Sequence, residues 1–575
     1  MRASTSKDGL TLRAIAGTYN ILLGIDLEEA KRAGCLGFTI SRTDLGAPGA
    51  PPPANAPAAR VLPNSLRFPG DTTPGLATTE TAPLQKFRWG DYTVKPGQRY
   101  RFTVTARYGK PGQLTDGATA DVEVTTEDPA SQKTPIFFNR GAAASQAYNA
   151  KFGQLDPDKL DPAQRAEALK WLSRGLEEAI LAFLDQAKDG SFALHAAIYE
   201  FQKPELLAGL KRAMDRGVDV KIAYHFRHKG DADTTWKKNE AAAQANGLDK
   251  VAVQRQANPQ AAIMHNKFVV LLKKDSNGAF VPQAVWTGST NWTEGGIYGQ
   301  LNVGHAVYDP AVAATYEQYF ELLRADSEAA PLKAALGKLT PVPKECPPGP
   351  GVWPIFSPQP NTGMLDLYAS ICKSAKCLLV CAPFELAQQI SATFSGVPEG
   401  TLHYLLADKE SSFGNKNEIE IVEGVKQNEI AFAATLSSPL TDFQEKLLEK
   451  DTPEHFHHAG IHIHSKIIVA DPFGDDPILV TGSANFSNNS TVNNDSNSLL
   501  IRGDKAITDI YATEFMRMFE HYHFRAARAK AEAGAKAAGK TTDEMLKLAT
   551  DDSWSDPYYA PGSDKVLDRK LFAGT

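Results

Sequence analysis

Alternating apolar and polar residues mark the first quarter of the 575-residue chain. Between Tyr100 and Tyr108 every second side chain is apolar, and Ala120, Val122 and Val124 repeat the pattern. A period of two is typical of strands that bury one face, and the Pro-Gly and Asp-Gly dipeptides between these runs are turn signals. We therefore predict that residues 1–130 form a small β-sandwich, with an Ala/Pro-rich loop at residues 47–58.

From residue 137 onward the pattern changes to apolar strands that alternate with amphipathic helices. A helix is predicted at residues 171–187, strands at 192–199 and 218–225, and a second helix at 204–216. Alternation of strands and helices favours a mainly parallel sheet with helices on its faces.

The same order of elements returns after residues 341–363, a connector rich in Pro and Gly. Helices are predicted at 365–374 and 386–394, and strands at 377–382 and 402–407. The predicted fold class is α/β, with two similar halves related by a pseudo-two-fold axis and a β-sandwich before them. The sheets of the two halves are predicted to be mixed, mainly parallel and flanked by helices. The predicted units are 1–130, 136–340 (first half), 341–363 (linker), 364–530 (second half) and 531–575 (C-terminal helix and irregular tail).

Each half carries one copy of a two-part polar motif. A histidine and a lysine, two positions apart, begin an apolar run, and a Gly-Ser-x-Asn segment follows that run. Residues two apart on a strand point to the same side, so the imidazole and the ammonium should emerge together. The motif residues are His265, Lys267, Ser289 and Asn291 in the first half and His464, Lys466, Ser483 and Asn485 in the second.

One copy of the motif suits an anionic phosphate, because it offers a cation and neutral hydrogen-bond donors beside a histidine. Glycine lets the backbone come close to a ligand. Two copies provide the nucleophile and the acid that displacement at a phosphodiester needs. We predict that His265 and His464 are catalytic, and that the lysines, serines and asparagines of both copies bind the phosphate.

These residues resemble the phospholipase D superfamily, whose signature is His-x-Lys-x4-Asp followed by Gly-Ser-x-Asn or Gly-Ser-x-x-Asn. The second copy matches in full, including Asp471, whereas Leu272 stands at the Asp position of the first copy. The resemblance covers roughly residues 136–525. It implies metal-independent chemistry through a phosphohistidine, with His265 as nucleophile and His464 as acid. The N-terminal unit resembles a fibronectin type III module.

A catalytic imidazole needs its second nitrogen fixed by a partner. Members of the superfamily often use an acidic residue about eleven positions after the motif asparagine. The candidates here are Asn302 in the first half and Asp495 or Asn497 in the second. Asp471 is predicted to be a structural hydrogen-bond acceptor rather than a general base.

Composition sets limits on the compartment and the partners. The formal charge of −6 gives no overall basic field for coating nucleic acid. Five cysteines form no tight zinc-like set, which favours a reducing compartment. The chain shows neither a signal peptide nor a run of about 20 apolar residues. We predict a cytoplasmic protein without membrane insertion, a monomer with an internal pseudo-dimer.

The function predicted from these observations is a phospholipase D-type phosphodiesterase that hydrolyses or transfers a phospholipid or a related phosphodiester. Two alternatives stay open: a metal-independent nuclease or nucleic-acid-processing phosphodiesterase, and a non-catalytic binding protein with a relict site. No cofactor is expected. The histidine-rich segment from His455 to His464 contains few carboxylates, so it is not predicted to bind a metal.

Overall fold

The computed structural model describes residues 1–50, 59–141, 145–153, 155–227, 234–256, 262–413, 416–433, 462–539 and 546–575. Most of the predicted Ala/Pro-rich loop, residues 51–58, lies outside this part of the chain.

The N-terminal part contains two four-stranded antiparallel sheets. The strands of this part of the chain are β1 Arg2–Lys7, β2 Leu10–Ala16, β3 Ile21–Leu27, β4 Cys35–Gly46, β5 Arg60–Val61, β6 Pro63–Asn64, β7 Ala77–Thr78, β8 Arg88–Asp91, β9 Arg99–Lys110 and β10 Gln113–Thr125. The orders are β1-β2-β3-β8 and β10-β9-β4-β5, and β6 pairs only with β7. Apolar side chains from both sheets, including Leu12, Phe38 and Val104, share one core.

The first α/β half is built on a seven-stranded sheet of order β11-β17-β16-β15-β12-β13-β14. The strands are β11 Ile136–Phe138, β12 Phe192–Ile198, β13 Asp219–His225, β14 Ala252–Arg255, β15 Lys267–Lys274, β16 Phe280–Gly288 and β17 Val303–Val307. Its helices are Ser145–Phe152, Pro162–Ser173, Leu176–Leu184, Pro204–Asp215, Thr235–Ala245, Pro310–Arg324 and Ala329–Leu339.

The second half has a sheet of corresponding order, β18-β24-β23-β22-β19-β20-β21. The strands are β18 Gly351–Ser357, β19 Cys377–Ala382, β20 Leu402–Ala407, β21 Asn428–Phe432, β22 Lys466–Ala470, β23 Ile478–Gly482 and β24 Ser496–Arg502. Its helices are Gly363–Ser374, Gln388–Ser391, Lys416–Gly424, Asn488–Val492 and Lys505–Ala538, and Asp564–Ala573 follows near the C-terminus.

Both sheets are mixed, as predicted, but the prediction that parallel pairing predominates is wrong. In each half only two of the six strand pairings are parallel, β12 with β13 and β13 with β14 in the first, β19 with β20 and β20 with β21 in the second. The strand that begins with the motif lysine turns back as a hairpin into the strand that leads to Gly-Ser-x-Asn, and a hairpin is antiparallel.

Three predicted elements need correction. The predicted helix at 171–187 is split, since Arg174 and Gly175 take left-handed backbone conformations between two shorter helices. Part of the predicted linker forms strand β18, and its Pro354 is tolerated because β18 is an edge strand. The predicted boundary at residue 530 falls inside the helix Lys505–Ala538.

A shared apolar core joins the two halves. Phe268 of β15, Ile467 of β22 and the inner faces of the helices Pro310–Arg324 and Lys505–Ala538 belong to one cluster. Separate clusters cover the outer face of each sheet with the remaining helices. The inner faces of both sheets therefore pack against the same helices. This packing fixes the positions of the strand ends that carry the motifs.

The C-terminal tail packs on the N-terminal sheets. The Trp554 ring stacks on Phe87 with centroids 5.3 Å apart, and its indole N–H donates to the Cys35 carbonyl at 2.8 Å. Tyr559 donates to the Leu27 carbonyl at 2.6 Å. Among the helices in the described part of the chain, none combines the length and apolar character that crossing a membrane requires.

Candidate active site

The two motif lysines begin strands β15 and β22, and each motif histidine lies two residues before its strand. The Lys267 ammonium donates to the His265 carbonyl at 2.9 Å, and the Lys466 ammonium donates to the His464 carbonyl at 2.7 Å. Both lysines therefore fold back toward the backbone of their own histidine. In each half the lysine ammonium is therefore held close to the histidine of the same motif.

Backbone hydrogen bonds between the halves bring the two histidines together. The His265 N–H donates to the Asp495 carbonyl at 2.7 Å, and the His464 N–H donates to the Leu301 carbonyl at 3.0 Å. Each acceptor belongs to the segment that follows Gly-Ser-x-Asn in the opposite half. As a result the imidazole centroids lie 6.2 Å apart, with their planes at 76°.

An aromatic side chain flanks each histidine–lysine pair. Tyr199 lies beside His265, with ring centroids 5.3 Å apart, and its ring is 4.9 Å from the Lys267 ammonium. Phe384 takes the corresponding place beside His464 and Lys466, at 6.4 and 5.8 Å. Both histidines and both lysines are buried. Burial strengthens the interaction of these cations with any anion that enters.

The His464 ring is fixed by residues of the first half. Its Nδ1 lies 2.9 Å from Asn302 Oδ1 and 3.0 Å from the Ser289 carbonyl oxygen. Both neighbours are acceptors, so Nδ1 carries the proton and Nε2 carries the lone pair of the neutral ring. The Asn302 amide is held in turn, because its Nδ2 donates to the Gly296 carbonyl at 2.9 Å.

The second half has Ser496 at the position equivalent to Asn302. Asn302 follows Leu301, which accepts from His464, and Ser496 follows Asp495, which accepts from His265. Both residues lie eleven positions after the motif asparagine. That spacing points to Ser496, but the prediction named Asp495 and Asn497 instead, because the superfamily often has an acid at this position.

The other two predicted orienting residues have partners elsewhere. Asp495 Oδ2 accepts from Arg255 Nε at 2.9 Å, and both side chains are buried. Asn497 bridges the halves below the histidines: its Oδ1 accepts from Thr287 at 2.8 Å, and its Nδ2 donates to Asn266 at 2.9 Å. These residues support the interface between the halves.

The glycines of Gly-Ser-x-Asn have a packing role that differs from the predicted approach to a ligand. A Cβ on Gly288 would lie 2.2 Å from the Val303 carbonyl oxygen, and a Cβ on Gly482 would lie 2.4 Å from that of Asn497. Their φ angles, 157° and 149°, also favour glycine. In both halves the absence of a side chain on this glycine lets the next strand, β17 or β24, pack closely against it.

The serine hydroxyls also bind the returning strands, by which we mean β17 and β24 with the residue just before each. Ser289 Oγ donates to Asn302 Oδ1 at 2.8 Å, and Ser483 Oγ accepts from the Asn497 N–H at 3.0 Å. Asn291 and Asn485 are both buried, and the Asn291 amide donates to Glu200 at 2.5 Å. Glu200, which follows strand β12, was not among the predicted residues.

Asp471 closes the end of strand β22. Its carboxylate accepts from the backbone N–H groups of Lys376 and Cys377, both at 2.9 Å, and its φ is 50°. Leu272 lies instead within the longer strand β15 and pairs with Ala193. The Asp of the signature thus lies at the far end of the strand from the histidines.

A further pair of equivalent buried groups, one in each half, hydrogen-bonds to the backbone just before each motif histidine. His225 Nδ1 accepts from the Met264 N–H at 3.3 Å, and Asp408 accepts from the N–H groups of His462 and Ile463 at 2.9 and 3.2 Å. Burial lowers the pKa of His225 to about 3 and raises the pKa of Asp408 to about 7. Between about pH 3 and pH 7 both groups are therefore uncharged in the folded protein.

The histidine-rich segment is described only at its end. Burial lowers the pKa of His462 to about 4, which keeps this ring neutral beside the site. His455, His457 and His458 lie outside the described residues.

Comparisons with known proteins identify a family for part of the chain. The sequence model described as "Cardiolipin synthase, PLD-like domain" matches residues 180–324, which include the first motif. No curated protein sequence gives a significant match.

Three solved structures are similar to parts of this chain, with low identities and TM-scores. Phosphatidylserine synthase from Haemophilus influenzae Rd KW20 is 12% identical, with a TM-score of 0.40 over 65% of this chain and 93% of that one. Nuc, a phospholipase D family member from Salmonella typhimurium, is 20% identical, with a TM-score of 0.20 over 26% and 87%. Polyphosphate kinase from Porphyromonas gingivalis is 10% identical, with a TM-score of 0.37 over 58% of this chain, which spans less than half (46%) of that enzyme.

Proposed function

Because the chain belongs to the phospholipase D superfamily of phosphodiesterase-type enzymes, we propose that it hydrolyses or transfers a phospholipid or a related phosphodiester through a phosphohistidine. One observation carries the proposal. Two buried imidazoles lie 6.2 Å apart between their centroids, and each has its own lysine. This separation accommodates one phosphoryl group between the two rings.

The proposed reaction has two steps. In the first, His265 attacks phosphorus, a P–N bond forms, the P–O bond to the leaving group breaks, and His464 gives its proton to the leaving oxygen. In the second, His464 takes a proton from water, the resulting hydroxide attacks phosphorus, and the P–N bond breaks. An alcohol in place of water would make the second step a transfer.

His464 suits the acid–base role because Asn302 and Ser289 keep the proton on its Nδ1. Its Nε2 then carries the proton of the charged ring and the lone pair of the neutral ring, so the same atom serves both steps. An amide stabilises the imidazolium less than a carboxylate would, which makes this ring a stronger acid.

Lys267 and Lys466 are proposed to bind the non-bridging oxygens. Each ammonium is buried and bonded to a neutral carbonyl, so an entering phosphate would be stabilised strongly. Asn291 and Asn485 are proposed to add neutral donors. Ser289 and Ser483 are better assigned to the returning strands, since their hydroxyls bind there.

The corresponding strand orders support a pseudo-two-fold relation between units 136–340 and 364–530. We propose that the axis passes between the two histidines. The two four-stranded sheets support a fibronectin type III-like module at 1–130. A monomer with this internal pairing already has both histidines of the site.

A substrate assay tests the proposal. The full chain in EDTA is incubated with bis-p-nitrophenyl phosphate, with phosphatidylcholine vesicles, and with single-stranded or duplex DNA. We expect multiple turnovers that release p-nitrophenol and choline, and loss of multiple turnover on both substrates in His464→Ala. If DNA is cleaved and the vesicles stay intact, the proposed substrate becomes a nucleic acid instead of a lipid. Hydrolysis that survives in His464→Ala would overturn the assignment of the site.

A further inference from the structure

A histidine and two glutamates meet on the inner face of the first sheet, away from the motif residues. His195 lies on strand β12, and Glu317 and Glu321 lie one turn apart on the helix Pro310–Arg324. One ligand atom from each residue lies within 4.8 Å of the others. His195 Nδ1 is 2.7 Å from Glu317 Oε1.

Burial leaves two ligand-type atoms in this cluster without a partner. His195 is only 2% exposed, and its ring stacks on Phe320 with centroids 5.0 Å apart. In the part of the chain that the structure describes, neither His195 Nε2 nor Glu317 Oε2 has a hydrogen-bond partner, although both are buried. Burying such atoms without a hydrogen-bond partner costs free energy. A bound cation would give the carboxylate oxygen a partner.

The equivalent positions of the second half are apolar. Ala197 and Cys381 face the residues that follow the two motif lysines, so His195 corresponds to Leu379. Counted from the N-caps Asp309 and Asp504, the glutamates correspond to two further buried residues. All three equivalents, Leu379, Ala512 and Met516, are fully buried. The fold itself therefore does not require polar groups here.

The cluster has an open side. The Glu321 side chain is 46% exposed and lies 3.5 Å from Arg324, whereas the Glu317 side chain is 17% exposed. Ligand atoms around a tetrahedral zinc ion lie about 3 to 3.5 Å apart, given zinc–ligand bonds of about 2.0 to 2.2 Å. Rotation of Glu321 away from Arg324 would close the remaining distance.

We propose that His195, Glu317 and Glu321 bind a divalent transition-metal ion, with Zn²⁺ as the best match. An imidazole with two carboxylates suits Zn²⁺ and its neighbours. Ca²⁺ and Mg²⁺ prefer shells of six or more oxygens. The ion would tie strand β12 to the helix Pro310–Arg324. Since β12 leads directly to Tyr199 and Glu200, the ion would brace one wall of the candidate active site.

Equilibrium dialysis of the chelator-treated full chain tests the proposal. Zn²⁺ in the retentate is measured by mass spectrometry for wild type, His195→Gln and Glu321→Gln. Every protein also carries His457→Gln and His458→Gln, so that the histidine-rich segment does not supply the signal. We expect each ligand variant to weaken Zn²⁺ binding by at least about 10-fold to 100-fold. Glu328→Gln removes an exposed carboxylate outside the cluster and should change nothing.

Thermal unfolding separates metal binding from a purely structural role of the same residues. Each protein is compared with itself, with and without Zn²⁺. Zn²⁺ should raise the Tm of the wild type and of Glu328→Gln and leave the Tm of His195→Gln and Glu321→Gln unchanged. His265→Ala should keep the Zn²⁺ response. Equal affinity or equal Tm shifts in the wild type, His195→Gln, Glu321→Gln and Glu328→Gln would overturn the metal site and leave the proposed phosphodiesterase activity unaffected.

Discussion

The two halves place the same motif residues at equivalent strands but support them with different residues. Each histidine has its lysine, an aromatic neighbour and a backbone bond to the other half. Asn302 holds the His464 ring, while Ser496 occupies the equivalent position beside His265. The comparison indicates that the groups proposed to contact the phosphate are nearly symmetric, whereas the residues behind them differ between the halves, and we propose that this difference gives each histidine its own role.

The lysines should show the largest symmetric effect. Replacing Lys267 or Lys466 by Met should lower kcat/KM for bis-p-nitrophenyl phosphate by about 10²-fold to 10³-fold, because each removes a preorganised cation from the developing charge. Lys373→Met, at an exposed lysine, is the control. Losses that differ by more than tenfold between the two lysines would break the proposed equivalence.

The motif glycines should be equally intolerant of a side chain in both halves. Gly288→Ala and Gly482→Ala each press a Cβ against a backbone carbonyl, so we expect a loss of about 3 kcal/mol or more in the free energy of unfolding. Gly278→Ala has a positive φ but open space, and should lose about 1 to 2 kcal/mol. Urea denaturation measures all three. Equal losses would show that backbone strain alone requires these glycines.

The orienting position should separate the halves. Asn302→Ala should lower kcat by about 10-fold to 100-fold, since the His464 tautomer is no longer fixed, whereas Ser496→Ala should stay within about threefold. Asn302→Asp keeps the acceptors and adds a charge that stabilises the imidazolium, so its pH–kcat profile should move to higher pH. An unmoved profile would argue that Asn302 only packs.

The smallest effects on activity are predicted for His225 and Asp408, which should instead change how the free energy of unfolding depends on pH. Because the pKa of His225 is lowered to about 3, its neutral form stabilises the fold fully above its unfolded value of 6.5, and this stability is lost as the pH falls below it. Because the pKa of Asp408 is raised to about 7, its ionisation in the unfolded chain costs stability as the pH rises from 3.8 to about 7.

Relative to wild type, His225→Asn should therefore gain stability as the pH falls below 6.5, and Asp408→Asn should gain stability as it rises toward 7. The expected slope is about 1.4 kcal/mol per pH unit in each case, with opposite signs. Urea denaturation at pH 5, 6, 7 and 8 measures both slopes. Parallel slopes would show that the two groups are not kept neutral by burial.

Local sequence patterns predicted the elements whose signal is continuous in the chain. The strands Cys377–Ala382 and Leu402–Ala407 were predicted with the bounds that the structure gives them, because each is a short apolar run between helices. Strand β18 was missed because the Pro and Gly residues before it dominate the composition, although Ile355 and Phe356 are buried.

The candidate site was predictable where a motif repeats along the chain and unpredictable where it depends on pairing between segments that are distant in sequence. Both histidines and both lysines followed from the motif. Glu200 and Ser496 did not, because their places depend on strand register across distant segments. Asp495 is a further example. It forms a buried ion pair with Arg255, and nothing in the sequence around either residue indicates this pairing.

A burst experiment with bis-p-nitrophenyl phosphate tests the central claim, that two histidines from two halves share one phosphorus atom. The p-nitrophenolate group leaves without an acid, so His464→Ala should release one equivalent of p-nitrophenol per protein, stop, and retain phosphorus on His265. His265→Ala should release none. Continued turnover in both variants, with no phosphorus on either protein, would contradict the account.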